Sequence, residues 1–186
     1  MEEKIPFSDS DLTICRLAED DYSVLSSFNC GDITIDKFIH EDVGLCYQYR
    51  YITPYKCVIT GTNEIVGIFT LSNDVVILPM EEKFDICENI PEYVELFKRQ
   101  PSSPAVNINH LAVREGFQRR GVGKTIVEFV RMTFHNYRQI GCQFLTVDAL
   151  NIDGHRTTEF YEKLGFVLLS VNDYNKPTRR MYLPLF

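Results

Sequence analysis

One basic, glycine-containing turn constrains the fold more than any other part of the chain. Residues 118–124 read Gln-Arg-Arg-Gly-Val-Gly-Lys, between an apolar strand-like run at 106–113 and a helix-like run that begins near Val122. The first backbone N–H groups of a helix lack internal partners, and the helix dipole adds partial positive charge there. Gly121 and Gly123 carry no Cβ, so a ligand can approach the backbone closely. This segment, called the basic turn below, therefore predicts a site for a phosphorylated ligand, most simply a pyrophosphate.

The basic turn differs from two common phosphate motifs. The Walker spacing is absent although Lys124 follows Gly123, and the dinucleotide fingerprint fails because position 126 is Ile. Gly-Val-Gly at a helix start is equally typical of a plain tight turn. The preceding Gln-Arg-Arg and the strand before it favour the anion site.

Periodicity predicts an alternation of strands and helices around this turn. Pro91 can open a short helix through Phe97, and a stripe of Val127, Val130, Phe134 and Tyr137 marks a helix after the basic turn. A hairpin connection is predicted at Gly61-Thr62-Asn63. The predicted strands are 13–17, 55–59, 64–71, 75–78, 106–113, 144–149 and 180–183, with helices starting at 19–21 and covering 35–41.

Two blocks in register resemble the GNAT superfamily of N-acetyltransferases. Leu-Ala-Val at 111–113 followed by Gln-Arg-Arg-Gly-Val-Gly resembles that family's acetyl-CoA motif, Arg/Gln-x-x-Gly-x-Gly/Ala. Phe-Tyr-Glu-Lys-Leu-Gly-Phe at 160–166 is similar to its Phe-Tyr-x-x-x-Gly-Phe element. The resemblance implies an α/β GNAT fold. Such a fold has a mixed, mostly antiparallel central sheet flanked by helices, with a crossover at the acetyl-CoA pyrophosphate turn.

Length and composition fit a single domain over 1–186, which the resemblance implies to be a GNAT domain. Hydrophobic residues make up 45% and charged residues 24%, as in ordinary globular proteins. No apolar run approaches about 20 residues, so no membrane span is expected. The N-terminus lacks a signal peptide's apolar segment, and the six scattered cysteines have no metal-type spacing. We therefore expect a cytoplasmic protein with reduced thiols and no metal.

Net charge limits the class of partner. The chain carries a formal charge of −7, whereas proteins that bind nucleic acids neutralise phosphates with Lys and Arg. A nucleic-acid partner is therefore not expected, although the doublets Arg119-Arg120 and Arg179-Arg180 are local basic spots. Homodimer formation is left open.

The resemblance also implies acetyl-CoA as co-substrate and a set of residues that bind it. The main chain of Leu111, Ala112 and Val113 would bond the pantetheine arm, although core packing explains these side chains equally well. Asn151 would contact the pantetheine or, as an alternative, cap a helix. The implied cofactor-binding residues are Leu111, Ala112, Val113, Gln118, Arg119, Arg120, Gly121, Val122, Gly123, Lys124 and Asn151.

Tyr161 is the catalytic residue that the resemblance implies. Phe160 and Leu164 are four apart and are expected to face the core, which leaves Tyr161 about 100° around the helix. A phenol with a pKa near ~10 is protonated at neutral pH and can donate a proton to the departing thiolate. The alternative is an ordinary packing tyrosine, one of ten.

A general base must take the proton of the attacking amine, and the sequence leaves its identity open. The candidates are His110, Glu115 and Asp148, or a water that one of them holds. No spacing distinguishes them, and a structural or solvated role explains each side chain as well.

The sequence predicts an acetyl-CoA-dependent N-acetyltransferase that acts on a primary amine of a small molecule, peptide or protein. One alternative comes from 28–31 followed by 35–39, which resembles the Phe-x-Cys-Gly and Leu-Asp-x-Phe-Leu pattern of GNAT toxins from toxin–antitoxin pairs. Those toxins acetylate aminoacyl-tRNA, a substrate that the acidic charge disfavours. A second alternative is a non-catalytic acyl-CoA-binding regulator, which the presence of Tyr161 disfavours.

Overall fold

The computed structural model describes residues 6–87, 91–136, 140–151, 157–170 and 176–186. Across these residues seven strands form one sheet of order β1-β2-β3-β4-β5-β7-β6. The pairs β1–β2, β2–β3, β5–β7 and β6–β7 are antiparallel, which confirms the predicted mixed, mostly antiparallel α/β architecture. The strands are β1 Leu12–Arg16, β2 Thr53–Ile59, β3 Ile65–Val76, β4 Ser103–Val113, β5 Phe144–Leu150, β6 Val167–Leu168 and β7 Thr178–Pro184.

Helices occupy the connections between these strands. The Asp32 side chain accepts bonds from the backbone of Thr34 and Ile35 and so caps the start of the second helix. A π-helical turn, Phe38–Asp42, joins that helix to the next, so the helix predicted at 35–41 belongs to a longer helical segment. The helices are α1 Tyr22–Leu25, α2 Ile33–Lys37, α3 Val43–Gln48, α4 Met80–Cys87, α5 Pro91–Arg99, α6 Val122–Asn136 and α7 Thr157–Glu162.

The chain divides into two compact units, of which unit 1 comprises Met1–Ser72 and Ile108–Thr133. A Cβ added at Gly67 on β3 would lie 2.9 Å from the side chain of Ile126 and 3.3 Å from that of Val122. Glycine at this position therefore lets the first turns of α6 pack closely on the strand. The buried core of unit 1 includes Leu17, Leu25, Phe28, Ile39, Val43, Ile52, Val58, Ile65, Ile68 and Ala112.

Unit 2 comprises Asn73–Asn107 and Phe134–Phe186. Its core is aromatic: the Phe144 ring lies 6.1 Å from that of Phe97 and 5.6 Å from that of Tyr182. Val76, Leu78 and Ala105 complete this buried cluster. The prediction that residues 1–186 form one domain stays a prediction.

Two further expectations can be compared with the described residues. The predicted hairpin between β2 and β3 is confirmed, since Gly61 has a φ of 78° and the Thr62 amide donates to the Ile59 carbonyl. None of the described helices is both long enough and apolar enough to cross a membrane.

Candidate functional site

The basic turn connects the end of β4 to α6 through two left-handed residues. Arg119 has a φ of 62° and Gly121 a φ of 90°, and the Thr125 amide donates to the Gly121 carbonyl at 3.0 Å to start the helix. Val122 is buried and Gly123 half-buried, whereas Arg119 and Lys124 are exposed. The turn therefore anchors one side chain in the core and leaves two cations at the surface beside a helix N-terminus.

The Gln118 side chain is hydrogen-bonded to the backbone of the protein. Its Nε2 donates to the Cys30 carbonyl at 2.7 Å and to the Val113 carbonyl at 3.0 Å. Gln118 thus ties the turn to the end of β4 and to the 28–31 loop. The prediction that Gln118 is a cofactor-binding residue stays a prediction.

The 28–31 loop is held from two sides. On one side, the Glu115 amide donates to the Asn29 carbonyl at 2.9 Å. On the other, the Cys30 amide donates to Asp36 Oδ1 at 2.8 Å, and His40 Nε2 lies 2.7 Å from the Phe28 carbonyl. The loop lines one side of an open depression of about 530 Å³, which Asp36 and His40 also line. A loop resembling the toxin motif therefore links the α2 segment to the basic turn.

Arg120 is enclosed by two aromatic rings. Its guanidinium carbon lies 4.1 Å from the Phe7 ring centroid and 5.5 Å from that of Phe117. The Phe7 amide also donates to the Arg120 carbonyl at 2.9 Å. Sequence reasoning missed Phe7, because the motif that identifies the turn gives no information about a residue more than a hundred positions earlier.

His110 on β4 is a half-buried imidazole in unit 1. Its ring stacks on Phe38 of the π-helical turn, with centroids 3.8 Å apart and planes 12° from parallel. Nδ1 lies 3.2 Å from the hydroxyl of buried Thr70. Burial lowers the pKa of His110 below its usual value, so the ring is neutral at neutral pH, the form that a proton acceptor requires.

The other two base candidates have different surroundings. In unit 2 the Arg180 guanidinium donates to Asp148 Oδ2 at 2.7 Å and also pairs with Asp74. The Thr146 hydroxyl bonds to Asp74 as well, so Asp148 belongs to a polar cluster in which Arg180 pairs with its carboxylate. Of the three side chains, that of His110 is half-buried, whereas those of Asp148 and Glu115 are exposed.

Tyr161 lies deeper than the sequence predicted. Phe160 and Leu164 were expected to face the core, yet both are half-buried, whereas Tyr161 is only 5% exposed. The physical reason is that the Tyr161 ring packs edge-on against Phe160 and Phe166, at 5.0 and 5.3 Å between centroids. Burial raises the pKa of Tyr161, so its phenol keeps its proton at neutral pH. The hydroxyl makes no hydrogen bond to a described residue.

The remaining predicted cofactor residues have mixed surroundings. Ala112 is buried in the core of unit 1, and Leu111 and Val113 are half-buried. Asn151 Nδ2 donates to the Lys176 carbonyl at 2.9 Å, and its amide donates to the Pro177 carbonyl at 2.8 Å. Asn151 therefore joins the end of β5 to the start of β7 within unit 2.

The basic doublets outside the turn are also engaged within the protein. Arg179 is 7% exposed, and Arg180 pairs with Asp74 and Asp148. Lys98 of the Lys98-Arg99 doublet pairs with Glu95 at 2.9 Å. Within the described ranges, no group of three or more His, Cys, Asp and Glu side chains could hold a metal ion.

Comparisons with known proteins agree with this geometry. Residues 81–168 match the family model described as acetyltransferase (GNAT) domain, and comparison with curated protein sequences gives no significant match. A tyrosine-to-phenylalanine mutant of KacT aligns with a TM-score of 0.72 at 22% identity, covering 94% of this chain and 95% of that one. AtaT complexed with acetyl-methionyl-tRNAfMet gives 0.71 at 22%, covering 94% and 95%.

A third solved structure is an AtaT mutant toxin bound to the C-terminus of the antitoxin AtaR and acetyl-CoA. It has a TM-score of 0.70 at 22% identity and covers 94% of each chain. At this identity the likeness shows a shared fold, while the domain match covers α4 through β6 and includes the basic turn and Tyr161. Residues 81–168 of the chain thus match the GNAT acetyltransferase domain, and the chain shares its fold with these solved structures.

Proposed function

We propose that the protein uses acetyl-CoA to acetylate a primary amine. The observation that carries this proposal is the basic turn, where left-handed Arg119 and Gly121 lead from β4 directly into the N-terminus of α6. Backbone amides at a helix start bind phosphate oxygens, and the helix dipole favours their charge. Acetyl-CoA supplies both a pyrophosphate and an activated acetyl thioester.

The residues of the turn fit a pyrophosphate. A Cβ at Gly121 would meet only the Phe7 carbonyl, at 3.8 Å, so the space in front of the turn is open. Arg119 and Lys124 are exposed and form no ion pair with a described residue. We assign the phosphates to the backbone of 119–124 and the pantetheine to the backbone of Leu111, Ala112 and Val113. Gln118 acts by holding the turn.

Tyr161 is assigned as the general acid. Its raised pKa keeps the phenol protonated, and its hydroxyl has no hydrogen-bond partner among the described residues. Such a hydroxyl can donate its proton to the sulfur of the departing thiolate.

His110 is assigned as the general base. An attacking amine must lose a proton, and a neutral imidazole accepts it directly or through one water. The Phe38 stack and the Thr70 hydroxyl hold the ring on β4 and support this role. Asp148 is disfavoured because Arg180 already stabilises its charge.

A second candidate acceptor is the α-amino group of an aminoacyl-tRNA. It is favoured by toxin structures that align over 94% of this chain, one of them complexed with an acetylated aminoacyl-tRNA. The net charge of −7 and the engagement of Arg179 and Arg180 within the protein favour a smaller amine. We rank the small molecule, peptide or protein amine first.

A single assay tests both acceptors. The protein is mixed with acetyl-CoA and separate panels of small amines, peptides and charged tRNAs, and the release of free thiol is measured against a Tyr161→Phe control. We expect Tyr161-dependent release with a member of the amine or peptide panel. Release only with charged tRNA would promote the second candidate. If acetyl-CoA binds but no panel releases thiol, the proposal of catalysis is wrong.

A further inference from the structure

Phe7 lies outside both sequence motifs yet contacts the basic turn in two ways. Its amide donates to the Arg120 carbonyl at 2.9 Å, and its ring centroid lies 4.1 Å from the Arg120 guanidinium carbon. Phe117 approaches the same guanidinium at 5.5 Å, and the two rings stack 6.1 Å apart.

The segment that carries Phe7 is itself held by the residues that follow. The Ser8 amide and hydroxyl both donate to Asp11 Oδ2, at 2.8 and 2.7 Å. This capping arrangement forms a short 3-10 turn that leads into β1 at Leu12. Phe7 therefore approaches the basic turn from an anchored element of unit 1.

Two consequences for Arg120 follow. A guanidinium held by aromatic faces has fewer rotamers to lose when it binds an anion. The Phe7 amide also fixes the carbonyl of Arg120, which lies between the left-handed residues Arg119 and Gly121. Both contacts reduce the ordering cost of binding a phosphate.

We propose that Phe7 is a positioning residue of the cofactor site, which orients Arg120 and the basic turn toward the phosphates of CoA. This inference rests on the proposed function, because it requires that CoA binds the turn. It adds to the site a residue from a segment that carries no acetyltransferase motif. Phe7 acts through Arg120 rather than by touching the reacting atoms.

The test is a double-mutant cycle on CoA affinity, measured by calorimetry with Phe7→Ala, Arg120→Gln and the double variant. We expect Phe7→Ala to weaken binding by roughly 2- to 30-fold, the size of a cation–π contribution. Because Phe7 acts through Arg120, the double variant should bind no more weakly than Arg120→Gln alone. Phe7→Tyr should restore affinity. Tyr51→Ala, which removes a 73% exposed ring elsewhere in unit 1, is the matched control and should bind like the wild type.

Three outcomes overturn the inference. They are unchanged affinity in Phe7→Ala, fully additive losses in the double variant, and unchanged affinity in Arg120→Gln. Thermal unfolding of each variant separates loss of folding from loss of binding, and Phe7→Tyr preserves the ring. Absence of CoA binding by the wild type would instead reject the proposed function itself.

Discussion

Two sets of charged side chains, one in each unit, have different surroundings. In unit 2, the side chains of Asp74 on β3, Thr146 and Asp148 on β5, and Arg180 on β7 form one hydrogen-bonded network. In unit 1, by contrast, Arg119 and Lys124 are exposed beside a helix start and form no ion pair with a described residue. Charges that satisfy each other stabilise a fold, whereas charges left without protein partners can bind a ligand.

This difference gives a general expectation for substitutions. Replacing a group that is bonded to other protein groups should lower stability, while replacing a group without a protein partner should lower binding or turnover. Tyr161 tests this expectation most strongly, because it lies in unit 2 but is assigned as the general acid.

Tyr161→Phe should show the largest effect. Removing the hydroxyl deletes the proton donor while the ring still packs against Phe160 and Phe166. We expect turnover to fall by roughly 10²- to 10⁴-fold with unchanged acetyl-CoA affinity. Tyr182→Phe is the control, because Tyr182 is also a buried tyrosine of unit 2 and its hydroxyl bonds to Glu82. Near wild-type turnover in Tyr161→Phe would show that Tyr161 is a packing residue and not the proton donor.

His110→Gln should have the next largest effect. We expect turnover at neutral pH to fall by about 10²-fold, since the base is lost. For the wild type, burial lowers the pKa of His110 from 6.5, so the neutral form prevails above that lowered value. Turnover should therefore stay high as pH falls through 6.5 and decline only at lower pH. If His110→Gln shows the same decline of turnover at low pH, the decline comes from the titration of another group.

The sequence predicted the parts of this arrangement that depend on local pattern. The basic turn and the start of α6 at Val122 follow from glycine positions and apolar spacing over a few residues. The burial of Tyr161 did not follow, because its packing depends on Phe166 beyond the helix. The Phe7 contact depends on tertiary proximity, which leaves no periodic signal in the sequence. No helix was predicted at α4, Met80–Cys87, because its sequence has no clear apolar stripe.

Gly121→Val tests the geometry of the turn. A β-branched residue at a φ of 90° is strained whatever the space around it, so the turn should shift. We expect CoA affinity to fall by about tenfold, equivalent to the ~1–2 kcal/mol cost of a left-handed residue. Gly116→Val is the matched control, since nothing lies within 4 Å of its added Cβ and its φ is not left-handed. Equal affinities in calorimetry for the two variants would reject the assigned role of Gly121.

Arg180→Met should have the smallest effect on function and a clear effect on stability. It leaves Asp74 and Asp148 without their shared cation, and the Asp74 side chain is 19% exposed. We expect the free energy of unfolding in urea to fall by about 1–3 kcal/mol, with CoA affinity unchanged. Lys37→Met, which breaks an exposed pair with Glu41, should cost less than about 0.5 kcal/mol. Weaker CoA binding in Arg180→Met would contradict the distinction between charges that are paired within the protein and charges that are left to bind a ligand.

Amide hydrogen exchange measured with and without acetyl-CoA shows whether the basic turn binds the cofactor. We expect added acetyl-CoA to slow exchange at the amides of 119–124 and of Leu111, Ala112 and Val113. The peptides that contain Asp74, Thr146 and Arg180 should exchange as before. Binding without protection of 119–124, or no binding at all, would contradict the assignment of the basic turn as the cofactor site.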